Sequence, residues 1–405
     1  MSNLRGNACI GQSGGPTSVI NQSLVGVIQE VQKSDHIVEL LGARHGVKGI
    51  VNNDFLKLKS APQELLERVA MTPASALGST RDKPDAEYCK KIFASFQAND
   101  VRYFFYIGGN DSADAARIVN DLAKQAGYEL RTFHVPKTID NDLRVHDHTP
   151  GFGSAAKFVA SAVMGDDYDN KSLPGVKVDV IMGRHAGYLT AASVLARKYE
   201  NDGPHLIYVP EAPFSVDKFL GDVDRVYKKL GRCVIAVSEG IHDEKGTAMA
   251  VVLAEKLGRQ IERDGHGNVQ LSGSGILGDF LGDLIKDQLK IKRVRSDTFG
   301  YLQRSFPGYV SATDAAEARE VGRRAVIASR DDKNSAGLSV VMKRVSNAPY
   351  TIEYGLTDLA NVARETKHLD PAYLKDGNDV TQAFIDYAKP LVGELPTVGS
   401  LTELK

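Results

Sequence analysis

Short apolar runs alternate along this chain with longer stretches whose apolar positions recur at helical spacing. Ala8-Cys9-Ile10 reads as a strand, followed by a glycine turn and a helical stretch from Thr17 to Lys33. Arg102 to Ile107 is an apolar strand, then Gly108-Gly-Asn-Asp-Ser112 leads into a helix running to about Lys124. Thr132 to Val135 is a further strand and opens into Pro136-Lys-Thr-Ile-Asp-Asn-Asp142. A second set begins with a helix around Ser154 to Met164 and continues with strands at Val176 to Met182 and Cys233 to Val237. This alternation predicts an α/β fold with mainly parallel strands, repeated in two halves. In open parallel sheets ligands sit beyond the carboxyl ends of the strands, where the unusual loops of this chain fall. Residues after about 346 carry no such loop and read as a largely helical extension.

Composition narrows the function classes. Of 405 residues, 42% are hydrophobic and 25% charged, enough for a large core divided over two or three domains. The formal net charge of −1 provides no whole-molecule field toward nucleic acid or an anionic membrane. Cys9, Cys89 and Cys233 lack metal-ligand spacing and read as small buried residues in a reducing compartment. The first ten residues lack a signal-like apolar stretch, and no run approaches the roughly 18 apolar residues of a membrane helix. The expectation is a cytoplasmic protein that binds neither nucleic acid nor membrane.

Six loops carry candidate chemistry. Gly11-Gln-Ser-Gly-Gly-Pro-Thr17 places adjacent glycines, Gly14 and Gly15, before a helix start, where free N–H groups favour an anion. A simple tight turn explains the same residues. Gly108-Gly-Asn-Asp-Ser112 repeats the geometry, with Ser112 as a possible helix cap and Asp111 where an anion would be expected. An Asn-Asp turn is the plainer alternative. Pro136 to Asp142 sets Asp140 and Asp142 beside Lys137 and Thr138, so that one carboxylate could take a hydroxyl proton while the other holds magnesium. A solvated acidic loop is the competing reading. Met182-Gly-Arg-His-Ala-Gly187, Ser238-Glu-Gly240 and Gly300-Tyr-Leu-Gln-Arg-Ser305 add arginine forks for phosphate and a glutamate for sugar hydroxyls. His185 reads as a packing or helix-start residue.

Taken in order, GGPTSVIN, GGNDS, PKTIDND, MGRHAG, SEG and GYLQR closely resemble the phosphofructokinase family, and most closely its pyrophosphate-dependent branch. The resemblance spans roughly residues 7 to 320. It implies two similar Rossmann-like lobes with the active site in the cleft between them. Residues 1–150 would form the donor lobe, completed by about 280–345. Residues 151–279 would form the sugar-phosphate lobe, and 346–405 the helical extension. It further implies that Asp140 is the base for the sugar 1-hydroxyl. Thr138, Ile139, Met182, Gly183, Arg184 and Glu239 would bind the acceptor, with Arg184 also near the transferred phosphoryl group. Tyr301 and Arg304 would hold the 6-phosphate, and Arg295 would serve a neighbouring subunit in at least a homodimer. Gly15, Arg81 and Lys137 would contact the donor, and Asp142 the magnesium ion.

Two positions bear on the donor. ATP-using relatives have glycine where this chain has Asp111, whose carboxylate would face the α-phosphate of ATP. Two like charges at ~4 Å and an effective dielectric of about 20 repel by roughly 4 kcal/mol, on the order of a thousandfold in affinity. Lys137 replaces a glycine and would stabilise the departing phosphate. The sequence also departs from the family pattern. Asn110 stands where the family has a magnesium aspartate, so the metal site would rest on Asn110 and Asp142. Gly175 stands where many relatives place an intersubunit arginine, with Lys177 nearby. Val25 and Gln29 replace the arginines of a nucleotide-effector site, which implies no nucleotide effector. The implied reaction is reversible transfer from pyrophosphate to fructose 6-phosphate. An ATP-dependent enzyme and a silent sugar-phosphate-binding subunit are the alternatives, and sedoheptulose 7-phosphate is an open second acceptor.

Overall fold

The computed structural model describes residues 4–256, 275–331, 337–363 and 365–401. Its first half lays down β1 (Gly6–Gln12), β2 (Ile37–Ala43), β3 (Phe55–Lys57), β4 (Val101–Gly108) and β5 (Arg131–Pro136). A second sheet follows from β6 (Val176–Ile181), β7 (Leu206–Tyr208), β8 (Cys233–Ser238) and β9 (Val294–Thr298). The chain then returns to the first sheet with β10 (Leu338–Asn347) and β11 (Tyr350–Asp358). The seven-stranded sheet runs β11-β10-β5-β4-β1-β2-β3, and the four-stranded one runs β7-β8-β6-β9. The four-stranded sheet is parallel throughout, and in the larger sheet only β3 and β11 run antiparallel to their neighbours. β5 and β8 are buried at every position, so helices cover both faces and their runs are apolar without alternation.

The two sheets and the cleft between them match the expected α/β architecture. The expected composition of the lobes differs in one place. The helix Ile276–Leu289 and β9 lie with the second sheet, where Val294 pairs with Val176 of β6. Return to the first sheet comes with the helix Ala312–Ser329 and β10. Residues 257–274, assigned to the second lobe from sequence, lie outside the described residues.

The expected helical extension after 346 is not what forms. β10 and β11 make an antiparallel pair, Leu374–Lys375 and Asp379–Val380 pair as short strands β12 and β13, and one helix follows at Gln382–Val392. The reason is legible in Tyr350–Asp358, where half-buried and exposed residues largely alternate with period two and Tyr, Thr and Ile favour a pleated surface.

The Ile20–Val31 and Ala312–Ser329 helices meet backbone to backbone. A Cβ on Gly26 would stand 2.1 Å from the Arg319 carbonyl oxygen, and one on Gly322 would stand 2.2 Å from that of Ser23. The helix Phe152–Ser172 begins the second half of the fold and is held to the same helix by Asp314. That carboxylate accepts from the N–H groups of Gly151 and Ser154, both at 2.8 Å, and so satisfies otherwise open donors at a helix start.

Candidate active site

The loops at the carboxyl ends of β1, β4, β5, β6 and β8 converge on a cleft of about 490 Å³. Gly14 and Gly15 close one end. Gly14 adopts φ +73°, a left-handed conformation that suits glycine. Its N–H donates to the Thr80 carbonyl at 2.9 Å and its own carbonyl accepts from the Ser79 hydroxyl at 2.7 Å. These bonds fix the segment carrying Arg81 beside the glycine loop.

The helix Asn110–Gln125 starts at Gly109 without a side-chain cap. Ser112 lies inside its first turn, so the expected cap does not form, and the opening N–H groups stay directed at the cleft. Asp111 reaches across to Lys83 at 3.2 Å and is 66% exposed. Its charge is therefore neither bare nor desolvated, and the repulsion of about 4 kcal/mol toward ATP is too large. An exposed, paired carboxylate contributes on the order of 1 kcal/mol.

The loop after β5 holds the most perturbed charges. Lys137 donates from Nζ to the Gly15 carbonyl at 2.7 Å, while burial, then Arg304, lowers its pKa to about 8. Asp140 is raised to about 7, first by burial and then by the charges of Asp142 and Glu239, with Lys137 and Arg184 opposing. Asp142 is raised as well, chiefly by burial. The Asp140 N–H donates to the Thr138 hydroxyl at 3.1 Å, and Asn141, at φ +58°, donates to the Tyr387 hydroxyl at 2.7 Å. The loop is thus pinned from both ends while its carboxylates crowd one another.

On the opposite wall, Gly183 turns at φ +149° and its carbonyl accepts from the Ser238 hydroxyl at 2.6 Å. The Glu239 N–H donates to the Ile181 carbonyl at 2.9 Å, so the β6 and β8 loops are tied to each other. Met182, Arg184 and Glu239 line the cleft. Arg304 stacks over Tyr301 at 4.5 Å and its guanidinium approaches Gly15, where a Cβ would lie 2.8 Å from Nη1. Arg304 therefore lies between Tyr301 and the glycine loop.

The cleft is divided by charge. Arg81, Lys137 and Arg304 gather on one side, where burial and then the neighbouring arginines lower the pKa of Lys137, and burial and then Arg81 lower that of Arg304; Asp140, Asp142 and Glu239 gather on the other. The cationic side suits phosphates and the anionic side a proton acceptor with a hard cation. Among the described residues Asn110 Oδ1 is buried without a hydrogen-bond partner, and Asp142 is a carboxylate whose charge is disfavoured, chiefly by burial. An oxygen-liganded divalent cation would answer both, so the pair fits that role.

Of the residues selected from sequence, Gly183 shapes its turn without lining the cleft, and Arg295 stands apart from it on β9, exposed, with Nη1 donating to the Val294 carbonyl. Lys177 is bound to Asp166 at 3.3 Å and to Asp297, so it is not available as a substitute for the missing arginine. Sequence reasoning missed Lys83 and Thr366, which also line the cleft. Lys83, two residues beyond Arg81, could have been suspected; Thr366 gave no local signal.

Comparison with known proteins bears on this geometry directly. Residues 7–328 match the profile of the family described as Phosphofructokinase. The chain belongs to the phosphofructokinase family. A pyrophosphate–fructose 6-phosphate 1-phosphotransferase of Rhodospirillum rubrum is 52% identical over 391 residues, 96% of this chain and 95% of that one. A sulfofructose kinase of Alkalicoccus urumqiensis is 31% identical over 97% of both chains. The crystal structure of a pyrophosphate-dependent phosphofructokinase from Marinobacter aquaeolei superposes with a TM-score of 0.83 at 33% identity, covering 97% of this chain and 94% of that one. Among the described residues, no helix of this family member is long and apolar enough to cross a membrane.

Proposed function

We infer that the chain transfers a phosphoryl group reversibly from pyrophosphate to the 1-hydroxyl of fructose 6-phosphate, giving fructose 1,6-bisphosphate and phosphate. The observation that carries this reading is the cleft itself, in which the carboxylates Asp140, Asp142 and Glu239 line one wall beside the cations Arg81, Lys137 and Arg304. Asp140 takes the proton of the attacking hydroxyl, a role suited to a base whose pKa lies near working pH. Lys137 and Arg184 stabilise charge on the transferred and departing phosphates, and Arg81 with the Gly14–Gly15 backbone holds the donor. Asn110 and Asp142 would hold a magnesium ion, which would supply neutralisation of the donor's negative charge. Thr138, Ile139, Met182 and Glu239 orient the sugar, while Tyr301 and Arg304 grip its phosphate.

Arg295 completes the acceptor site of a second copy in a homo-oligomer, consistent with its exposed place on an edge strand. The enzyme works in the cytoplasm without nucleotide effectors. Val25 is buried and Gln29 is hydrogen-bonded to Gln63 and Glu67, so neither offers the charge such a ligand needs. The deciding experiment measures initial rates with fructose 6-phosphate and magnesium, comparing pyrophosphate with ATP. Turnover with pyrophosphate and little with ATP is expected. Strong ATP turnover would overturn the donor assignment, and no turnover with either would overturn the reaction.

A further inference from the structure

Four consecutive residues of the C-terminal region touch both catalytic loops. On one side, Thr366 forms an antiparallel bridge with Leu143, and the Lys367 N–H donates to the Asp142 carbonyl at 2.7 Å. The Lys367 ammonium then donates to the carbonyls of Asp147 at 2.8 Å and His146 at 3.1 Å, and to Asn141 Oδ1 at 3.4 Å. On the other side, His368 Nδ1 bonds the His185 carbonyl at 2.8 Å, and the Tyr188 hydroxyl donates to the His368 carbonyl at 3.0 Å. The Leu369 N–H donates to Glu211 Oε1 at 2.8 Å, which also accepts from the Gly187 N–H at 2.9 Å.

We propose that Thr366–Leu369 is a clamp that sets the Asp140–Asp142 loop against the Arg184 loop, with Lys367 as its positioning residue. The loop after β5 is irregular, passes through a left-handed Asn141, and leaves carbonyl groups that no ladder satisfies. A single ammonium with three donors gathers these oxygens from residues 141–147 in one place, which an apolar side chain of the same length cannot do. The ammonium also lies 5.0 Å from the Tyr188 ring, on the element that follows the acceptor loop. Base and acceptor loop thus share one support, whereas the segment carrying Gly14 and Arg81 has its own bonds through Ser79 and Thr80 and meets the base loop at the Lys137–Gly15 bond. A misplacement of about 1 Å between reacting groups can cost on the order of a hundredfold in rate.

The proposal rests on the transfer reaction inferred above. It is tested with Lys367→Met and His368→Ala, the latter an exposed residue that makes the second half of the clamp. Lys367→Met should lower kcat about 10- to 100-fold and raise the KM for fructose 6-phosphate, with a smaller rise in the KM for pyrophosphate. His368→Ala should move the same parameters several-fold in the same pattern. Hydrogen exchange of the full chain, followed in both variants, should show residues 140–147 and 183–187 losing protection together. A kcat within twofold of wild type in both folded variants overturns the clamp. So does an equal rise in both KM values, or loss of protection in one loop alone. Absence of turnover in the wild type overturns the functional reading instead, and the exchange measurement then judges the clamp by itself.

Discussion

Two clusters of buried charge lie a few residues apart in this chain and behave in opposite ways. In the loop after β5, Asp140 and Asp142 are pushed up and Lys137 is pulled down, so every group resists its own charged form. Just downstream, Asp147 is lowered and His148 raised, so these groups favour theirs. The difference is one of pairing. His148 bonds Asp147 at 2.8 Å and Glu317 at 2.6 Å, Arg344 meets Asp147 at 3.0 Å, and the Tyr350 hydroxyl donates to Glu317 at 2.6 Å. The second cluster is satisfied within the protein and fastens β10 and β11 to the helix Ala312–Ser329. In the reaction proposed above, the first would be completed by substrates and a cation. Between these two clusters, the groups left crowded and unpaired stand in the cleft, and the groups paired within the protein hold the architecture.

The sharpest way to break this comparison is Asp140→Asn. Turnover with pyrophosphate should fall about 10³- to 10⁴-fold, with thermal stability equal to or above wild type because a crowded charge is removed. Steady-state rates and melting curves on the same preparation decide it; near-normal turnover would remove Asp140 as base. Glu317→Gln should do the reverse. Breaking a buried ion pair strands a charge, so stability should fall by about 3 kcal/mol in chemical denaturation while kcat per folded molecule stays within twofold.

The pH dependence of stability follows from the same cluster. His148 has a folded pKa above its unfolded value of about 6.5, so its contribution is complete below that pH and fades as pH rises through the folded pKa. Asp147 has a depressed pKa, so its contribution is present above about 3.9 and fades only as pH falls through the folded value. Lys137 and Lys367, both at about 8, act in the opposite sense to His148, but only above that pH. Between pH 6.5 and 8, wild-type stability should therefore decline more steeply than that of His148→Gln, by up to about 1.4 kcal/mol per unit. Parallel slopes for the two proteins would mean that His148 does not carry the charge.

How much of this could be read beforehand follows from distance along the chain. The residues of the reacting loop are contiguous, from Lys137 to Asp142, and each strand before a loop is a plain apolar run, so sheets and loops were both legible. The alternation in Tyr350–Asp358 is equally visible, and the helical expectation for this region fails there because period-two spacing favours a strand. Lys367 meets the carbonyl of Asp147 across 220 positions, and His148 meets Glu317 across 169. Neither pairing has a local signature, because an ordinary surface loop and a buried clamp use the same residue types.

The smallest expected effect concerns a third pair, at the exposed mouth of the cleft. Lys83 and Asp111 lie 3.2 Å apart with side chains 46% and 66% exposed, so water as well as the partner screens each charge. If Asp111 acts on ATP as a screened carboxylate, Asp111→Gly should raise kcat/KM for ATP only about 5- to 10-fold, near 1 kcal/mol. Lys83→Met should then lower ATP use below wild type, because the carboxylate loses its counter-charge. Turnover with pyrophosphate should change little in Asp111→Gly, since that donor has no phosphate opposite the carboxylate. A thousandfold gain in ATP use by Asp111→Gly would restore the unscreened estimate and make the mouth of the cleft electrostatically resemble its floor. A gain in Lys83→Met equal to that in Asp111→Gly would mean that the pair excludes ATP by spanning the opening, with its charge secondary.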